Sequence, residues 1–138
     1  CRTVPQGMAA MMRLVADGDP ESVAEEMNDA LGDVETGEIT VATRSVEIDG
    51  VCVQEGQYIA LLNGKLVLSA ESLREVTLGF LEHAHADHFE LITMFYGAEV
   101  NRREVDAIAD SIRKIYPGQE LEVQEGGQPH YHFIFAIE

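Results

Sequence analysis

The hydrophobic pattern is densest from Glu90 to Gly97, which reads Glu-Leu-Ile-Thr-Met-Phe-Tyr-Gly. A short apolar run ended by glycine, with almost no polar alternation, predicts a strand buried on both faces, as in a parallel sheet. Downstream, Val105, Ile108, Ala109, Ile112 and Ile115 recur at helical spacing. Asn101 and Glu104 have the spacing of a capping box, Val100 can staple onto Val105, and Tyr116-Pro117-Gly118 stops the helix. Gln119–Gln124 follows as a second strand. The three segments predict a βαβ unit with a right-handed crossover.

Upstream, the period changes along the chain. Val4–Gly7 reads as a turn into a short amphipathic helix over Met8–Val15, with Met8, Met11, Met12 and Val15 at i, i+3, i+4 and i+7. Asp19 then caps a helix with Pro20 at its first position and Glu21 in its first turn. Val23, Met27 and Leu31 make its apolar stripe, and Gly32 stops it. From Ile39 to Arg44 the period is two. Two hairpins follow. Asp49-Gly50 pairs Ile48 with Val51 and Val46 with Val53, with Glu47 and Cys52 on the other face. Asn63-Gly64 pairs Leu61 with Leu66 and Ile59 with Leu68. The second hairpin is apolar on both sides, which predicts a central place in a sheet covered by helices. Ser69 caps a helix over Ala70–Ala84 that buries Leu73, Val76, Phe80 and Leu81. The closing strand, Tyr131–Ile137, puts Tyr131, Phe133, Phe135 and Ile137 on one face. The fold class is α/β: a two-layer or three-layer sandwich with a mixed sheet, β-hairpins and a C-terminal βαβ unit.

Length and charge narrow the picture. The 138 residues suit one domain, and no apolar tract is long enough to span a membrane. The chain starts at Cys1 without an apolar leader, so it reads as a piece of a longer protein. Nine basic residues against twenty-five acidic ones give a net charge of −16, which makes nucleic acid and anionic membranes poor partners and a basic protein surface a good one. Between Arg13 and Arg44 stand nine carboxylates and no basic residue. A solvated helix face is the commoner reason for such a run; a docking surface is the other. Two cysteines make no disulfide framework, which favours a reducing, cytoplasmic setting.

Catalytic patterns are thin. There is no P-loop, dinucleotide fingerprint or nucleophile elbow. Cys1 has no structural context, and Cys52 lies on a strand beside Glu47. His83, His85 and His88 fall at the end of a helix, where an imidazolium is favourable; only His85 and His88 share a face, without a further ligand evident. His130 and His132 share one face of a strand, about 7 Å apart. A surface role is expected for both clusters and a metal for neither. Gly126-Gly127 reads as a loop rather than an anion nest. The residues alone therefore favour a binding module without an active site over an enzyme.

Four segments, in order, resemble a known family. They are Val4-Pro5-Gln6-Gly7 leading into an Ala/Met helix, the Ile39–Val51 strand and hairpin, the Glu90–Gly97 strand, and the ending Gly126–Glu138. Together they resemble the C-terminal domain of the A subunit of bacterial fatty acid kinase, often named dihydroxyacetone-kinase-like or DegV-like. The resemblance implies a longer protein. In it, an N-terminal domain holds ATP and magnesium through aspartates. A central domain carries a catalytic cysteine, two histidines and the dimer interface. The C-terminal domain has two lobes related in fold to the DegV-type fatty-acid-binding B subunit, and docks it through an acidic groove. The whole enzyme makes acyl-phosphate for phospholipid synthesis.

Nothing in this chain matches the nucleotide or central domain. No catalytic, cofactor or metal residue is therefore carried onto Cys1, Cys52 or the histidines, and oligomerisation is left to the missing domains. Residues 1–138 are expected to be a single domain, the second lobe, resembling one lobe of a DegV-type protein. The implied partner is the B subunit with a basic surface. The expected docking residues are Asp17, Asp19, Glu21, Glu25, Glu26 and Asp29, with Glu104, Asp106 and Asp110 as the other face. A competing reading is a lobe that itself holds an acyl chain in a cavity lined by Met94, Phe95 and Phe133, although these are expected to pack as core. A weaker one is a metal-dependent enzyme built on the histidines.

Overall fold

The structure, a computed structural model, describes residues 1–48 and 50–138. Its elements in chain order are α1 (Val4–Met12), α2 (Pro20–Asp29), β1 (Glu35–Val41), β2 (Val46–Ile48), β3 (Val51–Val53), β4 (Tyr58–Leu62), β5 (Lys65–Ala70), α3 (Leu73–His83), β6 (Leu91–Tyr96), α4 (Arg102–Ile115), β7 (Glu120–Glu125) and β8 (Tyr131–Ile137). A six-stranded mixed sheet runs β5-β4-β1-β8-β6-β7, and β2 and β3 form a separate hairpin. β6 and β7 pair in parallel across α4, which is the expected βαβ unit. On its other edge β6 runs antiparallel to β8.

One sheet face carries the core. Ile39, Ala60, Ile92, Met94, Phe133 and Phe135 bury against Val76, Phe80 and Leu81 of α3 and Val105, Ile108 and Ile112 of α4. Helix α3 approaches closely because β1 has no side chain at Gly37: a Cβ there would lie 2.1 Å from Cζ of Phe80. The ring of Phe80 also packs on Phe135, with centroids 5.4 Å apart. The opposite face is thinly covered. There Val4, Pro5 and Met8 of α1 lie beside Phe95 and Ile134, and Thr3 bonds Thr36 through their hydroxyls at 2.8 Å.

Several expectations change. The Val4–Gly7 segment is the first turn of α1, not a turn before it, because the Thr3 hydroxyl accepts from the Gln6 amide and caps the helix. Ser72, not Ser69, caps α3, and Ser69 lies in β5 opposite Ile59. The β4–β5 hairpin sits at the edge of the sheet rather than at its centre. Its Asn63-Gly64 turn forms as expected, with both residues at positive φ, and Leu61 pairs with Leu66. A bulge then leaves Val67 without an opposite residue, so Leu68 faces Ala60 instead of Ile59. β2 and β3 pair in the expected register, whereas Asp49 of the Asp49-Gly50 turn lies outside the described residues.

A second bulge, between Ile39 and Thr40, sets Thr40 opposite Tyr131 and leaves His132 over. Tyr131 therefore leaves the core face and is 37% exposed. His132 packs edge-on against Tyr58, ring centroids 5.3 Å apart. His130 precedes the strand at a φ of 69°, so the two histidines do not form the expected one-face pair on β8. Ile115 also departs from its stripe and is exposed, because α4 ends there.

Substituting Gly37→Ala should lower stability by about 1–3 kcal/mol, since the new methyl group meets a fully buried ring. Urea unfolding measures this. In a Phe80→Leu background, which lacks the ring tip, the same substitution should cost less.

Candidate functional site

The acidic segment begins with a well-formed cap. The Asp19 carboxylate accepts from the amide and hydroxyl of Ser22, each at 3.1 Å, and Pro20 and Glu21 complete a favourable first turn. After that turn the helix works against itself. Glu21, Glu25 and Asp29 recur at i, i+4 and i+8, and like charges at that spacing repel. Asp29 sits in the last turn, where the helix dipole disfavours an anion and no basic residue offsets it. The helix also has no fully buried residue, and Val23 and Met27 are only half-buried.

All six expected docking residues, Asp17, Asp19, Glu21, Glu25, Glu26 and Asp29, are exposed, and four of them lie on α2. Among the described residues none of the six is in a salt bridge. The alternative face on α4 differs. There Asp106 pairs with Arg102 at 3.1 Å and Asp110 with Arg113 at 3.3 Å, so part of its charge is neutralised within the helix. Arg102 also donates to the Tyr96 hydroxyl at 2.9 Å, which holds its guanidinium more firmly protonated.

Beside α2, helix α1 exposes the stripe that helical spacing marked as apolar. Met8, Met11 and Met12 face solvent, Met12 at 85%, and Leu14 and Val15 follow beyond the helix end. Its buried face carries the small residues Pro5 and Ala10 instead. Sequence periodicity finds such a stripe but not whether anything covers it. Between the two helices a cleft of about 500 Å³ is lined by Ala9, Met12, Arg13, Ala30, Asp33 and Glu138.

The acyl-chain reading finds less support. Met94 and Phe133 are fully buried. Phe95 points to the opposite face and lines a cavity of about 230 Å³ with Val4, Pro5, Met8, Gly126, Gln128 and Ile134. That is below the roughly 300–1,000 Å³ of ordinary ligand pockets. The two cysteines are free and exposed; Cys52 pairs with Glu47 across the small hairpin.

The histidines at the end of α3 are arranged differently from the sequence expectation. The helix stops at His83, His85 turns into left-handed backbone (φ 52°), and Ala86–His88 forms a single 3₁₀ turn. Residues three apart eclipse in a 3₁₀ turn, which stacks the rings of His85 and His88 at 5.7 Å. The Asp87 carboxylate lies 3.6 Å from Nε2 of His88. A cleft beside this turn is also lined by Glu82 and by Tyr116, which caps the C-terminus of α4.

The family profile for the C-terminal domain of proteins like the A subunit of fatty acid kinase matches residues 1–138, the whole chain. The chain belongs to this family. An uncharacterized protein of Staphylococcus epidermidis is 33% identical over 137 residues, covering 99% of this chain and 25% of that protein. Uncharacterized proteins of Staphylococcus aureus strains MRSA252 and USA300 are 31% and 30% identical over the same shares. The chain thus spans about a quarter of the length of these curated relatives. It is a domain of a kinase-subunit family, with no helix long and apolar enough to cross a membrane among the described residues.

Tyr116 should titrate above the ordinary tyrosine value of 10.0, first because of burial and then because of Asp87 and Glu82. Ultraviolet difference titration reads this directly. Asp87→Asn should bring the value down without restoring 10.0, since burial is the larger cause. The raised value ties stability to the neutral phenol. That contribution is complete below about pH 10 and is lost as pH rises through the folded-state value, so Tyr116→Phe should flatten the alkaline fall.

Proposed function

We propose that this domain is the non-catalytic docking module of a fatty acid kinase A subunit. In this reading it holds the acyl-binding B subunit so that other domains of the whole protein can phosphorylate the fatty acid with ATP and magnesium. The observation that carries the proposal is α2, a helix with no fully buried residue, a repulsive carboxylate stripe and no internal cation. Local rules broken in this way are found where function requires them. A partner that brings lysines and arginines would relieve the repulsion and be steered to the surface over long range. Asp17, Asp19, Glu21, Glu25, Glu26 and Asp29 form the contact surface in this reading. Family membership supplies the partner class, and the reading places the complex in the cytoplasm, upstream of phospholipid synthesis.

Sedimentation of this chain with the fatty-acid-binding B subunit, in low salt and in high salt, tests the proposal. A complex at low salt that weakens at high salt is expected. Glu21→Lys, Glu25→Lys and Glu26→Lys together should slow association by about tenfold or more, whereas Glu104→Lys with Asp110→Lys should change it little. If neither this chain nor the full-length protein forms a complex at low salt, the docking reading fails. An equal loss from both sets of substitutions would move the surface away from α2.

A further inference from the structure

The turn after α3 gathers three metal-binding side chains that nothing in the proposed docking role uses. The imidazoles of His85 and His88 and the carboxylate of Asp87 each offer a ligand atom, and these atoms lie within 4.8 Å of one another. Ligands around a tetrahedral zinc ion stand about 3.4 Å apart, given bond lengths near 2.1 Å. All three side chains are exposed, so small rotamer changes can close that gap without disturbing the core. Two imidazoles and one carboxylate are the donor set of zinc-class dications rather than of magnesium or calcium, which prefer oxygen alone.

The surroundings point the same way. The cleft beside the turn is lined by residues from the C-terminal ends of both α3 and α4, including Glu82, Ile115 and Tyr116. Helix C-termini carry partial negative charge, so two of them converge on a position already holding Asp87 and Glu82. The turn itself is tied down, because the Gln119 side-chain amide donates to the Asp87 carbonyl at 3.1 Å. The upward shift of Tyr116 reports the same local negative field.

We propose that His85, Asp87 and His88 form a binding site for a transition-metal dication of zinc's class, with water completing the coordination. The site lies on the turn between α3 and β6, on an element separate from the docking helix, and it stands whether or not the docking reading does.

Titrating metal-free chain with zinc chloride, followed by calorimetry and by histidine imidazole NMR, tests this. One zinc per chain is expected, with the His85 and His88 rings shifting together, and magnesium chloride should produce neither effect. Asp87→Asn and His88→Ala should each weaken zinc by at least about tenfold. His85→Asn, chosen because asparagine tolerates left-handed backbone, should do the same. His83→Ala and His130→Ala should leave the affinity unchanged. Absence of a one-to-one phase, or zinc affinity that survives all three ligand substitutions in variants whose circular dichroism matches the parent, overturns the proposal.

Discussion

The fold depends on one close approach, the ring of Phe80 lying on the bare backbone of Gly37. A helix over a sheet ordinarily stands off by the length of the side chains between them. Here the missing Cβ lets a phenyl ring reach β1 itself, and Phe80, Phe135 and Phe133 then pack in sequence across two neighbouring strands. Interiors packed at crystal-like density do not absorb an added methyl group without displacement. The position of α3 fixes where its C-terminus and the following turn fall. Through that chain of contacts, a glycine in the third strand from the edge governs the geometry of the histidine turn.

The two faces of the sheet therefore have unequal duties. The face under α3 and α4 supplies the buried apolar area. The other face receives only Pro5 and its neighbours from α1, and α2 stands outside it with no fully buried residue of its own. A helix held so lightly can carry a charge pattern that a core helix could not tolerate, because little packing energy is at stake. The acidic surface and the stable core are thus kept on separate elements.

Much of this is legible in the residues. β6 and α4 combine a strong period with bounded ends, and Asn63-Gly64 leaves few alternatives to a tight hairpin. Family motifs spread over the whole chain are equally visible. What escapes the sequence depends on neighbours. The bulges at Val67 and His132 arise where paired strands must stay in register through a twist, and no local residue announces them. The apolar β4–β5 hairpin reads as central because burial can be inferred from composition, whereas strand order cannot. The methionines of α1 have the spacing of a core stripe, yet the helix turns its small residues inward. Asp87 does not stand out as a ligand in the sequence, because an α-helical reading of the segment separates side chains that a 3₁₀ turn brings together.

The two edges of the sheet also bear on how the domain behaves in a crowded solution. An open strand edge invites another chain to add to it. At one end β5 is shielded by the small hairpin, whose Cys52 carbonyl accepts from the Ser69 hydroxyl at 3.0 Å. At the other end β7 is open but carries Glu120, Glu122 and Glu125 within six residues. Two such edges meeting would set carboxylate against carboxylate. The guard is electrostatic, so it works only while those groups are ionised. Acidification would remove it, turning a monodisperse domain into one able to self-associate edge to edge.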